Sequence, residues 1–544
     1  MFSRMLQRPL IVTIKKSSTR SQYLDVWQRC NSSQRIPDLN LKQKQKKFIT
    51  SFPPLTKPIP NLPRAVYSTA KEDQTTQITV LSNGLKVASE NRFGQICTIG
   101  VLIDSGPRYE VAYPKGISHF LEKLAFNSSN TFDSKTKIMV ALEKYGGICE
   151  CNCQVSRDTF VYAVSAERRG LDRVTQILGD VVLKPQITEE EVRIARQIIY
   201  SELESLYRPE QEILMDMIHS AAYGHNTLGF PNICPKKNIE KIDRKILHTY
   251  LKHHYVPSRM VVAGVGVEHD DLVHAVTKYF VDQKSIWEEQ PDLILPNANT
   301  VDMSIAQYTG GCVLEEYKAP ICTSGLPELS HIVIGLEGCS HQDSDFVAMW
   351  VLTMMMGSGG SFSADSPGIG MYTRLYTNVV NKYGLYSATA CNFGYADTGL
   401  FFIHASCASF QVKDMVEVIV HEMITMTKEI SDSELARAKK QLQSMLLMKL
   451  EHRFVVFEDI GRHILATGFR KRPEYFIQAI DKISKDDINR VARRLLKSPP
   501  CLAVLSRGEE KASWENIQNS LFALLDALQG RFSFLFRKIM HKIF

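Results

Sequence analysis

The sequence predicts an α+β fold made twice, each copy an α/β-sandwich-type unit with a mixed sheet and helices on one face. Repeated landmarks are the first reason. Lys144-Tyr145-Gly146 returns as Lys382-Tyr383-Gly384, Asp158-Thr159 as Asp397-Thr398, and Ile187-Thr188-x-x-Glu191 as Ile430-Ser431-x-x-Glu434. The offsets are 238, 239 and 243 residues, too regular for chance and fitting an internal duplication. The second reason is that strand and helix signals alternate within each copy. The third is bulk: 544 residues with 44% hydrophobic content can fill a large core, and no apolar run of 18 or more suggests a membrane span.

In chain order, Ile78-Thr79-Val80-Leu81 reads as a strand, Asn83-Gly84 as a tight turn, and 85–89 as the returning strand. The apolar run 97–103 is a buried strand, closed by Ser105-Gly106-Pro107. Helices are expected over 116–126 and 134–145, the second stopped by Gly146-Gly147. Strands follow at 148–154 and 158–166, then a helix over 170–183 that ends before Pro185. Thr188-Glu189-Glu190-Glu191 is a capping box opening a long helix to about 207, with its acids complementing the helix dipole. Helices near 210–222 and 244–253 precede an apolar strand at 260–266, and His253-His254 reads as a solvated helix-end pair. The expected domains are a leader over 1–50, a Pro-rich extended linker over 51–70, a first domain over 71–285, a linker over 286–325 carrying Pro291, Pro296 and Pro320, and a second domain over 326–544.

Charge separates the leader from the body. Residues 1–70 hold 13 Lys and Arg against Asp25 and Asp38, leaving 52 basic and 56 acidic residues for the rest. The body therefore gives no support to a nucleic-acid partner. An Arg-rich, acid-poor, Ser-bearing start without a continuous apolar core has the composition of a mitochondrial transit peptide, with a disordered basic tail as the plain alternative. That address is the mitochondrial matrix, where the twelve cysteines stay reduced. Cys149-x-Cys151-x-Cys153 alternates onto one strand face and lacks zinc-type C-x₂-C spacing, so buried thiols are expected. The tail from Leu521 to Phe544 reads as a packed helix, with membrane contact the lesser alternative.

Chemistry concentrates in Gly116-Ile117-Ser118-His119-Phe120-Leu121-Glu122-Lys123-Leu124. The inverted zinc-peptidase pattern H-x-x-E-H sets two imidazoles one turn apart on a helix face, with the glutamate as general base toward a metal-bound water. Here Lys123 stands at the second histidine. An ammonium has three donors, no acceptor and a positive charge, so it cannot ligate Zn²⁺ and repels it. A second constellation runs Gly357-Ser358-Gly359-Gly360-Ser361-Phe362-Ser363-Ala364-Asp365-Ser366-Pro367-Gly368-Ile369-Gly370. No Gly-Lys-Ser/Thr makes it a P-loop and no G-x-S-x-G makes it a nucleophile elbow. A long structureless loop inside a domain is usually functional, and the bland alternative is a solvated connection.

On His119-Phe120-Leu121-Glu122-Lys123-Leu124-Ala125-Phe126 and the glycine-rich stretch at 357–376, the chain resembles the pitrilysin/insulinase-like metallopeptidases from about Pro53 onward. Within them it is similar to the non-catalytic alpha-type subunits of processing peptidases, whose beta-type partner reads H-F-L-E-H. The resemblance implies two halves facing each other as a clamshell. It puts the third ligand position at Glu202 and a supporting carboxylate where Ala195 stands, so Lys123 and Ala195 depart from the pattern while His119, Glu122 and Glu202 keep it. No catalytic residue and no metal or other cofactor is then expected in this chain, and the zinc is expected in the beta partner. His119 reads as a hydrogen-bonded core histidine. Lys123 is expected against Glu202 and Glu122, replacing the missing metal charge, because buried carboxylates without a cation are costly.

The family's loop reads G-G-G-G-S-F-S-A-G-G-P-G-K-G-M and contacts presequences. Ser358, Asp365, Ser366 and Ile369 depart from it. Asp365 adds an acceptor and Ile369 removes a positive charge, both favouring basic peptides, while fewer glycines stiffen the loop. The resemblance thus implies a substrate-recognition subunit. It would hold basic amphipathic presequences at residues 357–370 for a zinc-bearing beta partner. The alternative is a structural core subunit of respiratory complex III, against which the retained loop argues.

Overall fold

The computed structural model describes residues 75–146, 152–204, 210–296, 301–316, 329–360, 372–383, 386–428 and 430–506. The leader, the Pro-rich linker, Cys149, Cys151, the loop residues 361–371 and the tail lie outside them.

Two six-stranded sheets organise these residues. The first contains β1 Gln77–Val80, β2 Lys86–Glu90, β3 Ile96–Ile103, β4 Asn152–Val155, β5 Phe160–Glu167 and β6 Met260–Val265, ordered β1-β2-β6-β3-β5-β4. The second contains β7 Gly311–Glu316, β8 Leu329–Gly338, β9 Ser358–Gly360, β10 Ser387–Gly394, β11 Gly399–Ala408 and β12 Cys501–Ser506, ordered β7-β12-β8-β11-β10-β9. Each is antiparallel except for one parallel pair, β2 with β6 and β7 with β12. Gly84, at φ 87°, turns β1 into β2 where Asn83-Gly84 requires a left-handed residue.

The first half carries helices α1 Ile117–Leu124, α2 Lys135–Glu143, α3 Leu171–Leu183, α4 Glu189–Glu204, α5 Glu210–Tyr223, α6 Arg244–His254 and α7 His269–Val276. The second carries α8 Phe346–Met356, α9 Val412–Thr425, α10 Asp432–Lys449, α11 Arg453–Thr467, α12 Pro473–Lys482 and α13 Lys485–Leu495. The capping box is made: the Glu191 amide donates to Thr188 Oγ1 at 3.2 Å and the Thr188 amide to Glu191 Oε2 at 2.8 Å.

The stretch 286–325 is more than a connection. Ile286 and Trp287 pack into the first core, and β7 forms an edge of the second sheet. Its partner β12 comes nearly two hundred residues later, a pairing no local pattern announces. His253-His254 also departs from expectation. His254 is fully buried, stacks on Tyr250 at 3.9 Å and bonds its carbonyl at 2.9 Å, and burial lowers its pKa to about 3.

One pair of helices is exchanged between the halves. In α5, Leu214, Met217, Ile218 and Ala222 pack on Val333, Phe402 and Ala503 of the second sheet. In α11, Val456, Phe457, Ile460 and Ile464 join Leu102, Ala163, Val261 and Ala263 of the first. Each sheet is thus covered by its own helices on one face and by a helix from the other half on the second. Strands buried on both faces read as continuous apolar runs, which explains 97–103 and 260–265. The approach is close: a Cβ on Gly461 of α11 would lie 2.0 Å from Leu102 Cδ1.

Candidate functional site: a lysine in the metal position

Helix α1 starts under strict local control. Gly116 has φ 109°, and a Cβ there would stand 2.4 Å from Cys234 Sγ, so only glycine fits. The buried Glu110 carboxylate accepts from the Gly116 amide at 2.6 Å and the Ser118 amide at 2.7 Å. It fills two orphan donors at the helix start and opposes the dipole. Burial pushes its pKa up, against those hydrogen bonds.

From that start, His119 and Lys123 project one turn apart toward Glu202 near the end of α4. Lys123 Nζ lies 2.7 Å from Glu202 Oε1 and 3.5 Å from Glu122 Oε1. His119 Nε2 lies 3.0 Å from Glu202 Oε2. The Cys234 amide donates to His119 Nδ1 at 3.3 Å, so the ring carries its proton on Nε2 and donates it to Glu202. The nitrogen that would face a metal is therefore already committed as a donor. Ala195, at the position of the supporting carboxylate, is packed into the first core.

Electrostatics follow from this ring of contacts. The His119 hydrogen bond, aided by Lys123 against the cost of burial, holds Glu202 down to about 2. Burial alone would lower Lys123, but the hydrogen bond and charge of Glu202 and the charge of Glu122 outweigh it and raise its pKa. The ammonium stays charged at neutral pH beside two carboxylates. Among the described residues, no group of three or more His, Cys, Asp or Glu side chains is gathered to hold a metal ion. The ammonium, with no lone pair to offer a metal, stands between the Glu122 and Glu202 carboxylates.

At the glycine-rich stretch only the approach is described. Gly357 has φ 77° and its Cβ would lie 2.2 Å from Thr373 Cβ, so the chain leaves α8 through a position that excludes side chains. Ser358, Gly359 and Gly360 form edge strand β9, paired with Thr389, Ala388 and Ser387 of β10. Ser361, Phe362, Ser363, Ala364, Asp365, Ser366, Pro367, Gly368, Ile369 and Gly370 lie outside the described residues. Where the chain resumes, a cavity of about 1360 Å³ opens beside Tyr372 and Arg374. Arg374 grips Glu434 through two bonds of 2.6 and 3.0 Å.

Two supports of α1 escaped the sequence. Glu110 precedes Gly116 by six residues, outside any capping-box spacing, and Cys234 is 115 residues from His119. A glycine at the start of the motif, Gly116, is the one local signal that marks a constrained helix entry.

Comparison with known proteins fits this geometry. The sequence pattern of the insulinase family (peptidase family M16) matches residues 86–236, and that of the M16 inactive domain matches 241–442. The chain is 48% identical over 476 residues to the human protein named mitochondrial-processing peptidase subunit alpha, covering 86% of this chain and 89% of that one. It is 49% identical to the bovine protein of that name, with the same coverage. For the Caenorhabditis elegans one the figures are 40%, 86% and 92%. A crystal structure of a Helicobacter pylori protease superposes with a TM-score of 0.66 at 18% identity, over 80% of this chain and all of that one, a likeness of fold alone.

Proposed function

The chain belongs to the insulinase family of peptidases, and on that premise we propose that it is the substrate-recognition, non-catalytic alpha subunit of a mitochondrial processing peptidase. One observation carries the reading: the Lys123 amine sits 2.7 Å from Glu202 where a metal would need a ligand. A fixed cation there satisfies the carboxylates and leaves nothing to polarise a peptide carbonyl. Hydrolysis then falls to a beta-type partner bearing the zinc, in the mitochondrial matrix. This chain forms the opposing wall and holds basic amphipathic presequences, with residues 357–370 as the contact. The names of the relatives support this reading, and none of those reported supports a respiratory core subunit.

Reconstitution with a zinc-bearing beta-type subunit tests it. A basic presequence peptide is cut by the pair and by neither chain alone. Deleting 361–370, which spares β9, raises KM or abolishes cutting while the heterodimer still forms on a sizing column. Chelator-sensitive cleavage by the isolated chain would overturn the proposal.

A further inference from the structure

We infer that the second sheet carries a further contact for a basic peptide. It is a polar stretch on the sheet face that α5 partly covers, running from edge strand β9 to Glu210, whose carboxylate receives a cationic side chain. This rests on the proposed presequence-binding role and extends it beyond the glycine-rich stretch.

Strand register places the residues. Side chains directly opposite one another in antiparallel strands share a face. Ser358 of β9 stands opposite Thr389 of β10, and Thr389 opposite His404 of β11. Ser387 stands opposite Ser406, and Ser406 opposite His331 of β8. Further along the same strands, this face holds Val333, Phe402 and Phe393, which pack under α5. One face is thus split: its apolar part is covered by α5, and its polar part begins where α5 begins. Ser387, Thr389 and His404 are half-buried. Hydroxyls and imidazoles side by side on the face of a central strand are costly in a core and fit a surface that meets water or a polar ligand.

Contacts run across this polar part from strand to strand. Ser387 Oγ donates to Ser406 Oγ at 3.1 Å. Ser406 Oγ lies 2.9 Å from His331 Nδ1, and His404 Nε2 lies 3.3 Å from that same nitrogen. The other nitrogen, His331 Nε2, lies 3.0 Å from Oε2 of Glu210, the first residue of α5, and has no hydrogen-bond partner among the described residues. A buried imidazole nitrogen is therefore aimed at a carboxylate that is 34% exposed. His404 brings no charge to offset that carboxylate, because burial, with His331 beside it, lowers its pKa to about 4. An arginine suits such a place: its planar fork of donors matches a carboxylate, and its remaining donors find hydroxyl acceptors. With strands about 4.8 Å apart, β8 lies about 14 Å from β9, so roughly four extended residues reach from the glycine-rich strand to Glu210.

A fluorescein-labelled basic presequence peptide, and variants with one arginine at a time changed to glutamine, test the contact by anisotropy. Binding is measured on the full chain alone and on its pair with the beta-type subunit under chelator, where the peptide stays uncut. E210Q should raise Kd about fivefold for the parent peptide and by less than about twofold for the variant whose lost arginine met Glu210. In the active pair, E210Q should raise KM and leave kcat within about twofold. Glu210→Arg, offered the peptide with that arginine made glutamate, should regain binding, a rescue that a damaged fold would not show. An unchanged Kd for the parent peptide, an equal loss for every variant, or no rescue would overturn the inference. So would a chain and a pair that bind no peptide at all. If the peptide binds through Glu210 while the wild-type pair leaves it uncut, the functional reading fails and the contact stands.

Discussion

The same place in the duplicated fold has two different fates. In the first half, α1 carries His119, Glu122 and Lys123 on a face that meets Glu202 of α4. In the second, α8 reads Phe346-Val347-Ala348-Met349-Trp350-Val351-Leu352-Thr353-Met354-Met355-Met356, and Met445 stands 243 residues after Glu202. Helix α8 packs on α10 as α1 packs on α4, but through core side chains. One copy keeps a polar, partly exposed face with a lysine between two carboxylates. The other has become core, and the proposed presequence contact lies beyond the helix, from edge strand β9 onward. A fold position does not carry chemistry with it; the side chains facing the neighbouring helix do.

Substitutions at the two positions sharpen this contrast. The largest loss belongs to the apolar copy. Trp350 is 2% exposed and packs on Phe346 at 4.7 Å and Phe476 at 5.7 Å. Trp350→Ala should cost about 3–5 kcal/mol in urea unfolding. A cost under 1 kcal/mol would show that α8 is not the core element described.

Next comes a gain in the polar copy. Lys123→His with Ala195→Glu supplies the missing imidazole and the supporting carboxylate beside His119 and Glu202. The chain should then retain one zinc after dialysis, stabilising the fold by about 2.7 kcal/mol when free zinc is a hundredfold above Kd. Binding requires His119 to move its proton from Nε2 to Nδ1, against the Cys234 amide that now donates to Nδ1, and should strengthen with rising pH because zinc takes the introduced imidazole only in its unprotonated form. Failure to retain metal would mean that the cleft has lost more than its ligands.

Lys123→Met should cost only about 1 kcal/mol, because Glu202 is 43% exposed and water replaces much of the lost ammonium. A cost near that of Trp350→Ala would erase the contrast between cleft and core.

The smallest effect is on acid stability. Glu202 is held at about 2, below its usual 4.5, so its contribution is complete above 4.5 and is lost as pH falls from 4.5 to 2. In Lys123→Met the remaining shift comes from His119, and stability should fall less steeply over that window. An unchanged slope would remove Lys123 from the causes of the shift.

Legibility followed range. The Asn83-Gly84 turn, the Thr188–Glu191 capping box and the order of strands and helices were readable because a few neighbouring residues specify each. The juxtaposition of Lys123 with Glu202 was readable only through resemblance, since 79 residues separate them. The exchange of α5 and α11 was not readable at all. Both are apolar on the face they bury, and nothing in an apolar face names the sheet that will cover it. Strand β7 hid inside an expected linker for the same reason, its partner being the last described strand.

From residues alone came the duplication, the alternating elements and the loss of a zinc ligand at Lys123, because period, turn chemistry and ligand chemistry are local properties. Contact in space decided the rest. It set the tautomer of His119 through the Cys234 amide, the charge held on Lys123 by two carboxylates, and the locking of one half into the other. Those depend on partners far along the chain, 79 residues for Lys123 and Glu202 and 115 for His119 and Cys234, or on burial, and neither is written in any single stretch of chain.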